Sequence, residues 1–397
     1  MEYKTIKELC DLVVDCPHST PTWTEHGKIV IRNNNIKNGR IDFTSPSFTD
    51  DEHFAQRIKR AVPKAGDIVI TREAPMGEVG MIPEGIECCL GQRMVLLRAN
   101  ERICDKHYLL YGLQSQFVQH QISWSEGTGT TVSNLRIPHL EQIRVPYVPL
   151  DQQKKISSVL YALEDKIENN RKLNDNLEQQ AVALFKSWFI DFSLFGGTVP
   201  ENWEDTTLEN ITTLITRGIA PKYSDNSDQT VVNQKCIRNH TIDLSLARTH
   251  TPKAINEKWL KFGDLLINST GDGTLGRVAQ VWFAPKALTV DSHVTIVRPA
   301  REELIFYIGL WGILHEKEIE SLHTGSTGQT ELPRDRVKML KLLLPDDSSL
   351  SRFNSIIAPM TSTIISNQEE NQKLANLRDT LLPKLMSGVI DVANVQL

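Results

Sequence analysis

The 397-residue chain lacks the long apolar runs and leader features of membrane and exported proteins. It contains no stretch of about eighteen apolar residues that would span a bilayer, and its start, MEYKTIKELC, has no apolar signal-peptide core. Its six cysteines form no Cys-x-x-Cys pair, and five of them precede residue 105, which suits neither a disulfide framework nor a zinc site. We therefore expect a cytoplasmic protein with no membrane partner.

Motifs of catalysis and cofactor binding are also missing. The chain has no N-P-P-F/Y or D-P-P-Y methyltransferase motif, no G-x-x-x-x-G-K-S/T phosphate loop and no H-E-x-x-H zinc motif. The sequence Pro-Asp-Asp at 345–347 lacks the acid-x-Lys partner that a nuclease would use. We predict that the chain is not an enzyme and that it binds no cofactor or metal of its own.

One glycine pattern imitates a nucleotide-binding fingerprint. The stretch GDLLINSTGDGTLGRV at 263–278 places Gly271, Gly273 and Gly276 after an apolar, strand-like run. A dinucleotide fingerprint opens a helix at its last glycine. Here the glycines lead into RVAQVWF, which alternates and is rich in valine and aromatics, so it predicts a second strand. The glycines therefore indicate a strand–loop–strand element and not a nucleotide site.

Charge and pattern point to an internal duplication. The net charge of −5 gives no general reason to expect nucleic acid, but residues 1–150 and 196–345 each hold 17 Lys/Arg and 18 Asp/Glu. The glycine-containing stretch has a twin, GDIVITREAPMGEVG, at 66–80. Each copy is followed by a strand-like run ending in arginine, an amphipathic helix, a Gly/Thr loop and a strand closing at proline. The chain is predicted to be a duplication with an offset of about 197 residues.

A long helical pattern follows each closing proline. In both copies apolar positions alternate at spacings of three and four, with Asn170 and Asn174 in the middle of one seam and Asn367 and Asn371 in the middle of the other. We predict an antiparallel coiled coil in which Asn170 faces Asn371 and Asn174 faces Asn367, because buried amides fix register. Arg378 interrupts the seam, so we expect it at an edge or bonded to another chain. The alternative is two amphipathic helices, each packed on its own globular core.

The predicted fold is α+β, with two mixed α/β domains separated by the two paired helices. The segments are a first domain at 1–149, a helix at 150–192, a linker at 193–199, a second domain at 200–345, a helix at 346–390 and a tail at 391–397. Helices of roughly 34 to 38 residues would hold two similar heads on the order of 50 Å apart. Duplex DNA, whose grooves repeat every ~34 to 36 Å, is a ligand that such a spacer fits.

This order of segments resembles the specificity subunit of type I restriction–modification enzymes, over nearly the whole chain. The stretches that carry the resemblance are RVPYVPLDQQKKI, LFKSWFIDF, VPENWEDTTLENI and LRDTLLPKLMSGVI. The resemblance implies two target-recognition domains, each reading one half of an asymmetric bipartite site in double-stranded DNA, on a non-catalytic chain. It also implies two modification (methyltransferase) subunits as partners and, through them, restriction (translocase/nuclease) subunits, with S-adenosylmethionine, ATP and Mg²⁺ used by those partners.

Candidate DNA contacts come from cationic and amide-rich segments. A near-neutral domain must gather its cations on one face to meet phosphates, and Arg and Asn can bind guanine and adenine through paired hydrogen bonds. The alternative for each residue is a solvated loop. The candidates in the first domain are Arg32, Asn33, Asn34, Arg57, Lys59, Arg60, Arg72, Thr128 and Thr130. Those in the second domain are Lys222, Lys235, Arg238, Asn239, Ser269, Thr270, Arg277, Ser326, Thr327 and Gln329, with His240 beside them.

The first helix ends in more large apolar residues, most of them aromatic, than a two-helix seam needs: Phe185, Trp188, Phe189, Ile190 and Phe192. We expect them to cover the neighbouring domain, with a docking surface for a modification subunit as the alternative. Two other functions stay open on sequence alone. The chain could be a self-contained enzyme such as a nuclease, or a structural adaptor whose heads bind proteins.

Overall fold

A computed structural model of the chain describes residues 2–37, 39–124, 134–271, 273–325 and 330–392. The chain forms two compact units. The first contains Met1–Glu168 and Asn371–Leu397, and the second contains Asn169–Glu370. Each unit therefore combines a globular head with parts of two long helices.

The head of the first unit mixes short strands with short helices. Its strands are β1 (Glu2–Thr5), β2 (Cys10–Asp15), β3 (Lys28–Ile31), β4 (Ile36–Lys37), β5 (Arg40–Ile41), β6 (Ser47–Thr49), β7 (Ile68–Thr71), β8 (Val79–Met81), β9 (Cys88–Leu90), β10 (Met94–Ala99) and β11 (Arg144–Tyr147). Its helices are α1 (Ile6–Leu9), α2 (Asp51–Arg57), α3 (Lys106–Gln114), α4 (Gln116–Ser123) and α5 (Ile137–Gln142). Asp50 and Asp105 cap α2 and α3 by accepting N–H groups of the first turn.

The core of the first head lies on both faces of a four-stranded antiparallel sheet with the order β2-β10-β7-β8. Along β7, Ile68 and Ile70 pack on the helices, whereas Val69 packs toward a second sheet, β6-β3-β9. This alternation follows from the two-residue period of a strand, and both faces are covered, which explains the unbroken apolar run. Two smaller sheets, β1-β11 and β4-β5, complete the head.

The second head repeats these strand orders. Its strands are β12 (Glu204–Thr207), β13 (Thr212–Arg217), β14 (Thr230–Val232), β15 (Ile237–Arg238), β16 (Thr241–Ile242), β17 (Arg248–Thr249), β18 (Leu265–Asn268), β19 (Val278–Gln280), β20 (Leu288–Val290), β21 (Val294–Pro299) and β22 (Lys341–Leu344). Its helices are α7 (Ile305–Leu314), α8 (Glu316–Ser321) and α9 (Arg334–Lys338). The sheets are β13-β21-β18-β19, β17-β14-β20, β12-β22 and β15-β16. The glycine-rich stretch therefore joins strand β18 to strand β19, as its sequence predicts, and opens no helix.

Two helices of 40 residues each, α6 (Leu150–Phe189) and α10 (Asp347–Met386), belong in part to both units. Within the second unit they run antiparallel: the Asn367 Nδ2 donates to Asn174 Oδ1 at 2.8 Å, and the Asn170 Nδ2 donates to Glu370 Oε2 at 2.7 Å. The contact between Asn174 and Asn367 is the one that the seam predicts. The predicted pairing of Asn170 with Asn371 joins residues of different units and stays a prediction, as does the coiled-coil geometry.

Arg378 has a partner in its own chain. Within the first unit its Nη1 lies 3.5 Å from the Glu164 Oε1, and its Nη2 lies 2.7 Å from Asp379 Oδ1. Glu164 is buried in α6 and also accepts a hydrogen bond from the Tyr111 hydroxyl at 3.0 Å. The arginine therefore neutralises a buried carboxylate at the base of the head, so the expected bond to another chain is not needed.

The aromatic end of α6 lies in the core of the second unit. Phe185, Trp188 and Phe189 are buried together with Trp203 and Phe353, and their rings meet at centroid distances of 4.8–6.0 Å. Phe192 packs at the edge of this cluster, whereas Ile190 is exposed. These aromatics cover the neighbouring head, which was the first of the two interpretations from sequence.

A buried aspartate–arginine pair braces the central sheet of each head. Asp67, just before β7, receives two parallel hydrogen bonds from Arg98 near the end of β10, at 2.8 and 2.7 Å. Asp264 and Arg298 make the same two bonds at 2.8 and 2.7 Å between the start of β18 and the end of β21. Paired bonds of this kind are among the strongest between side chains. The repeated Gly-Asp and the repeated strand-ending arginine of the sequence therefore form one structural device.

The Asp264–Arg298 pair is more buried than the Asp67–Arg98 pair, so loss of its aspartate should destabilise the protein more. Asp264 is 0% exposed and Arg298 9%, so we expect Asp264→Ala to lower the free energy of unfolding of the second unit by about 3–5 kcal/mol, because a buried guanidinium loses its counterion. Asp67→Ala should cost less, because the Arg98 side chain keeps 29% exposure and can be hydrated. Urea unfolding of the whole chain measures both, with the exposed Asp335→Ala as the control. Equal losses at Asp67 and Asp264 would contradict this explanation.

Candidate nucleic-acid interface

In the first head, four loops meet at the end of the central sheet opposite the aspartate–arginine pair; we call this place the loop junction. The Asn33 Nδ2, after β3, donates to the Glu73 carbonyl, after β7, at 2.7 Å. The Arg93 Nε, just before β10, lies 3.1 Å from Glu73 Oε2. The Arg72 Nη2 donates to Asn134 Oδ1 at 3.1 Å. The segments that the sequence singled out separately are thus held together by side-chain bonds.

The second head has a loop junction at the corresponding place. The Thr270 Oγ1, after β18, is 3.2 Å from Gln234 Oε1, after β14, and 2.7 Å from the His293 Nδ1, just before β21. The Arg217 Nη2, at the end of β13, donates to the Leu332 carbonyl at 2.9 Å. The same loops meet in both heads, but different side chains join them. A shared frame therefore carries two chemically different surfaces.

The fourth loop of each junction contains Leu135 in the first head and Leu332 in the second. One arginine anchors this loop in each head, but the arginine follows β7 in the first head and ends β13 in the second. In the first head, Arg72 Nε donates to the Leu135 carbonyl at 2.8 Å. In the second head Ser269 holds the corresponding backbone position, since Leu332 N–H donates to its carbonyl as Leu135 N–H donates to that of Arg72. Arg217 then supplies the guanidinium for Leu332. Arg72 and Ser269 are both buried, so their geometry supports a structural role and not the DNA contact expected of them.

Arg57 is also a structural residue. Its side chain is in α2 and only 7% exposed, and its Nε and Nη2 donate to the carbonyls of Leu90 and Gly91 at 2.8 and 2.9 Å. The expected phosphate contact by Arg57 is therefore not supported. Lys59 and Arg60, which follow it, are exposed and stay candidates. The run of cations in the sequence did not reveal which one faces inward, because α2 ends at Arg57 and the chain turns there.

The hairpin β15-β16 turns one of its residues toward the protein. Asn239 and His240 both have left-handed backbone, with φ of 48° and 57°, as tight hairpin turns require. The His240 Nε2 lies 3.5 Å from the Glu316 Oε2 of α8. The hydrogen bond with Glu316 raises the pKa of His240. Burial raises the pKa of Glu178 of α6, a carboxyl group that also interacts with His240. Arg238 and Asn239 remain exposed at the hairpin tip.

The other candidates differ in where the structure places them. Asn33 uses its amide N–H inside the loop junction while its Oδ1 is buried without a partner, and half-buried Arg277 donates to the Gly273 carbonyl at 2.8 Å. The exposed candidates are Arg32, Asn34, Lys222 and Lys235. The candidates that lie outside the described residues are Thr128, Thr130, Ser326, Thr327 and Gln329.

Sequence reasoning missed several residues of the loop junctions: Arg93, Arg217, Gln234 and His293. One signal for them was available. Arg93 and His293 occupy matching places in the two copies, each directly before the repeated strand that ends in arginine. An exposed polar residue at the same place in both copies, ahead of a buried strand, indicates a shared edge of the sheet.

The described residues contain no group of three or more His, Cys, Asp and Glu side chains placed to hold a metal ion. Burial raises the pKa of the Cys89 thiol to about 11 and those of Cys88 and Cys104 to about 12, so these thiols are protonated and poorly nucleophilic at neutral pH. No helix in the described part of the chain is both long and apolar enough to cross a bilayer.

Comparison with known proteins gives one consistent family. Residues 1–179 match the family model described as the type I restriction modification DNA specificity domain. The chain is 27% identical to the type I restriction enzyme MjaIX specificity subunit of Methanocaldococcus jannaschii, over 84% of this chain and 79% of that one. It is 20% identical to the HindI specificity subunit of Haemophilus influenzae, over 84% of this chain and 88% of that one.

The fold is shared with a solved structure. The S subunit of a type I restriction-modification system from M. genitalium matches with a TM-score of 0.57 at 18% sequence identity, covering 97% of this chain and 95% of that one. At this identity the likeness concerns the fold, a mixed α/β architecture with long helices, as the sequence predicted.

The buried and exposed arginines of the first head should respond differently to substitution. Arg57→Leu leaves several buried carbonyls without a donor at about 1–3 kcal/mol each, so we expect a loss of about 3 kcal/mol in the free energy of unfolding. Lys59→Gln and Arg60→Gln should change stability by at most about 0.5 kcal/mol but weaken binding to duplex DNA. Thermal unfolding and fluorescence anisotropy measure the two effects. A stable Arg57→Leu variant that had lost DNA binding would restore the phosphate-contact interpretation.

Proposed function

Because the chain belongs to the specificity subunits of type I restriction–modification enzymes, we propose that its two heads, residues 1–149 and 200–345, each read one half of an asymmetric, bipartite DNA site. The observation that supports this most is the pair of loop junctions. The same loops meet at the same end of the sheet in both heads, while the side chains that line them differ. Two heads with the same backbone arrangement but different side chains at the loop junction are suited to reading two half-sites of different sequence.

The exposed cations and amides around the junctions are the proposed DNA contacts. In the first head these are Arg32, Asn34, Lys59 and Arg60, which are exposed. In the second head they are Lys222, Lys235, Arg238 and Asn239, also exposed. Lysine and arginine suit phosphates, and arginine and asparagine can also read base edges in the major groove. The residues outside the described ranges that the sequence singled out remain part of this proposal.

The chain itself is proposed to be non-catalytic and to act in the cytoplasm as part of a larger complex. Its partners are two modification subunits and, through them, restriction subunits. S-adenosylmethionine, ATP and Mg²⁺ would serve those partners. Membership of this family favours DNA recognition over a self-contained nuclease or a protein-binding adaptor.

The first test is co-expression with the modification subunit from the same genome, followed by mapping of methylated bases on plasmid DNA. We expect methylated adenines in one split sequence whose two halves differ, because each head presents different side chains. Expression of either protein alone is the control. Methylation within one continuous sequence would leave one head without a function, and a stable complex that methylates nothing would favour the adaptor.

The spacer gives a second test. Removing one heptad from the middle of α6 together with the facing heptad of α10 shortens paired helices by about 10 Å, the length of about three base pairs. We expect the gap between the half-sites to shrink while the bases read stay the same, as judged by methylation mapping. Exchange of the same heptads for other seam-compatible sequences of equal length is the matched control. A change in the bases themselves would show that the helices do not act as the ruler.

A further inference from the structure

Each head carries an arginine whose guanidinium lies over an exposed aromatic ring, within cation–π distance. In the first head the guanidinium of Arg32 lies 5.3 Å from the ring centroid of Trp23, which is 46% exposed. In the second head the guanidinium of Arg248 lies 3.6 Å from the ring centroid of Tyr223, which is 40% exposed. Among the described residues, neither ring belongs to a core cluster.

The two aromatics occupy the same backbone position. The residue after Trp23 donates its N–H to the Phe48 carbonyl at 3.0 Å, and the residue after Tyr223 donates its N–H to the Thr249 carbonyl at 3.2 Å. Phe48 and Thr249 are themselves equivalent, because each pairs with the same position of the central strand in its three-stranded sheet, on β3 and β14. The rings therefore stand at the same edge of the same sheet in both heads.

The two arginines do not occupy the same backbone position. Arg32 follows β3, and its counterpart in the second head is Asn233, which begins the same 3₁₀ turn. Arg248 begins β17, and its counterpart by strand register is Ser47, to which Arg32 Nη1 donates at 3.4 Å. Each head thus places a guanidinium over the ring, but from a different strand. The two heads therefore share a cation–π contact at this edge of the sheet, although non-equivalent arginines form it.

Both guanidinium groups are available to bind an anionic ligand. Within the ranges that the structure describes, neither Arg32 nor Arg248 has a carboxylate in ion-pair distance, whereas Arg98 and Arg298 are spent on buried aspartates. A guanidinium held over an aromatic ring by the cation–π attraction can still donate N–H groups to an oxyanion. In the first head the arginine over the ring adjoins the loop junction, because the next residue, Asn33, donates to the Glu73 carbonyl there.

We propose that the pairs Arg32–Trp23 and Arg248–Tyr223 are matched phosphate-binding pairs that position the DNA backbone on each head, an inference that rests on the proposed function. The likeness of the two pairs favours phosphate over base reading. The heads are proposed to read half-sites of different sequence. A feature that both heads share, such as the arginine–aromatic pair, should therefore bind a part of the DNA that is the same in both half-sites. The sugar–phosphate backbone is the same in both, and it positions a protein without specifying sequence.

The test uses the complex of the chain with its modification subunit and two duplexes of about four helical turns, one carrying the mapped bipartite site and one of random sequence. We expect Arg32→Gln and Arg248→Gln each to weaken binding to both duplexes by about three- to tenfold. Each should lower the slope of log affinity against log salt concentration by about one, because one phosphate contact and its released counterion are lost. The methylated sequence should stay the same.

Arg102→Gln is the matched control, because Arg102 is exposed and follows the opposite end of β10 from the loop junction; it should leave affinity and slope unchanged. Trp23→Leu and Tyr223→Leu keep the charge and remove the ring, so we expect a smaller loss of affinity with the slope retained. Tyr223→Phe should bind as the unchanged protein does.

Two results would overturn the inference: a changed base in the methylated sequence of an arginine variant, which would assign base reading, or variants that bind like Arg102→Gln. Thermal unfolding of each variant separates lost contacts from lost structure. Failure of the proposed function would give a different result. In that case the complex without any substitution would neither prefer the site-bearing duplex nor methylate it.

Discussion

The buried aspartate–arginine pair is the interaction on which each head depends. In both heads it ties the start of one central strand to the end of its neighbour, β7 to β10 and β18 to β21. Because these strands are antiparallel, bracing one end of the sheet also fixes the opposite end, where the loops meet. A paired guanidinium and carboxylate tolerate little change in angle, so the loops start from a rigid platform. The surface proposed to meet DNA can therefore vary without loosening the frame.

At two places the heads have a guanidinium group in common, although the arginines that supply it are not equivalent in sequence. The guanidinium that anchors the fourth loop comes from Arg72 in one head and from Arg217 in the other. The guanidinium over the exposed ring comes from Arg32 in one head and from Arg248 in the other. Neighbouring strands in a sheet lie about 5 Å apart, so a long side chain can reach one place from an adjacent strand, as Arg32 and Arg248 do, or from the strand beyond it, as Arg72 and Arg217 do. Loop sequences can therefore differ between the heads while the interactions that shape the loops are retained.

The helices α6 and α10 illustrate a second constraint. Asn174 and Asn367 bond to each other across the helix pair, and Glu164 with Arg378 forms a charged contact in the first unit. Both are polar contacts between the two helices, one in each unit. A buried polar group that loses its partner is costly, so contacts of this kind favour the observed helix register.

The sequence by itself determined the order of elements: two heads, two long helices, a strand–loop–strand element in place of a nucleotide site, and the contact between Asn174 and Asn367. These features depend on local periodicity and turn chemistry, which the chain carries in short stretches. Only the tertiary structure decided which cations are available. Arg57 and Arg72 are buried against carbonyls, whereas Arg32 is exposed and lies over the Trp23 ring, although all three stand in similarly polar stretches. The partners of each arginine lie tens of residues away, so the burial of its charge follows from strand pairing and not from its neighbours in the chain.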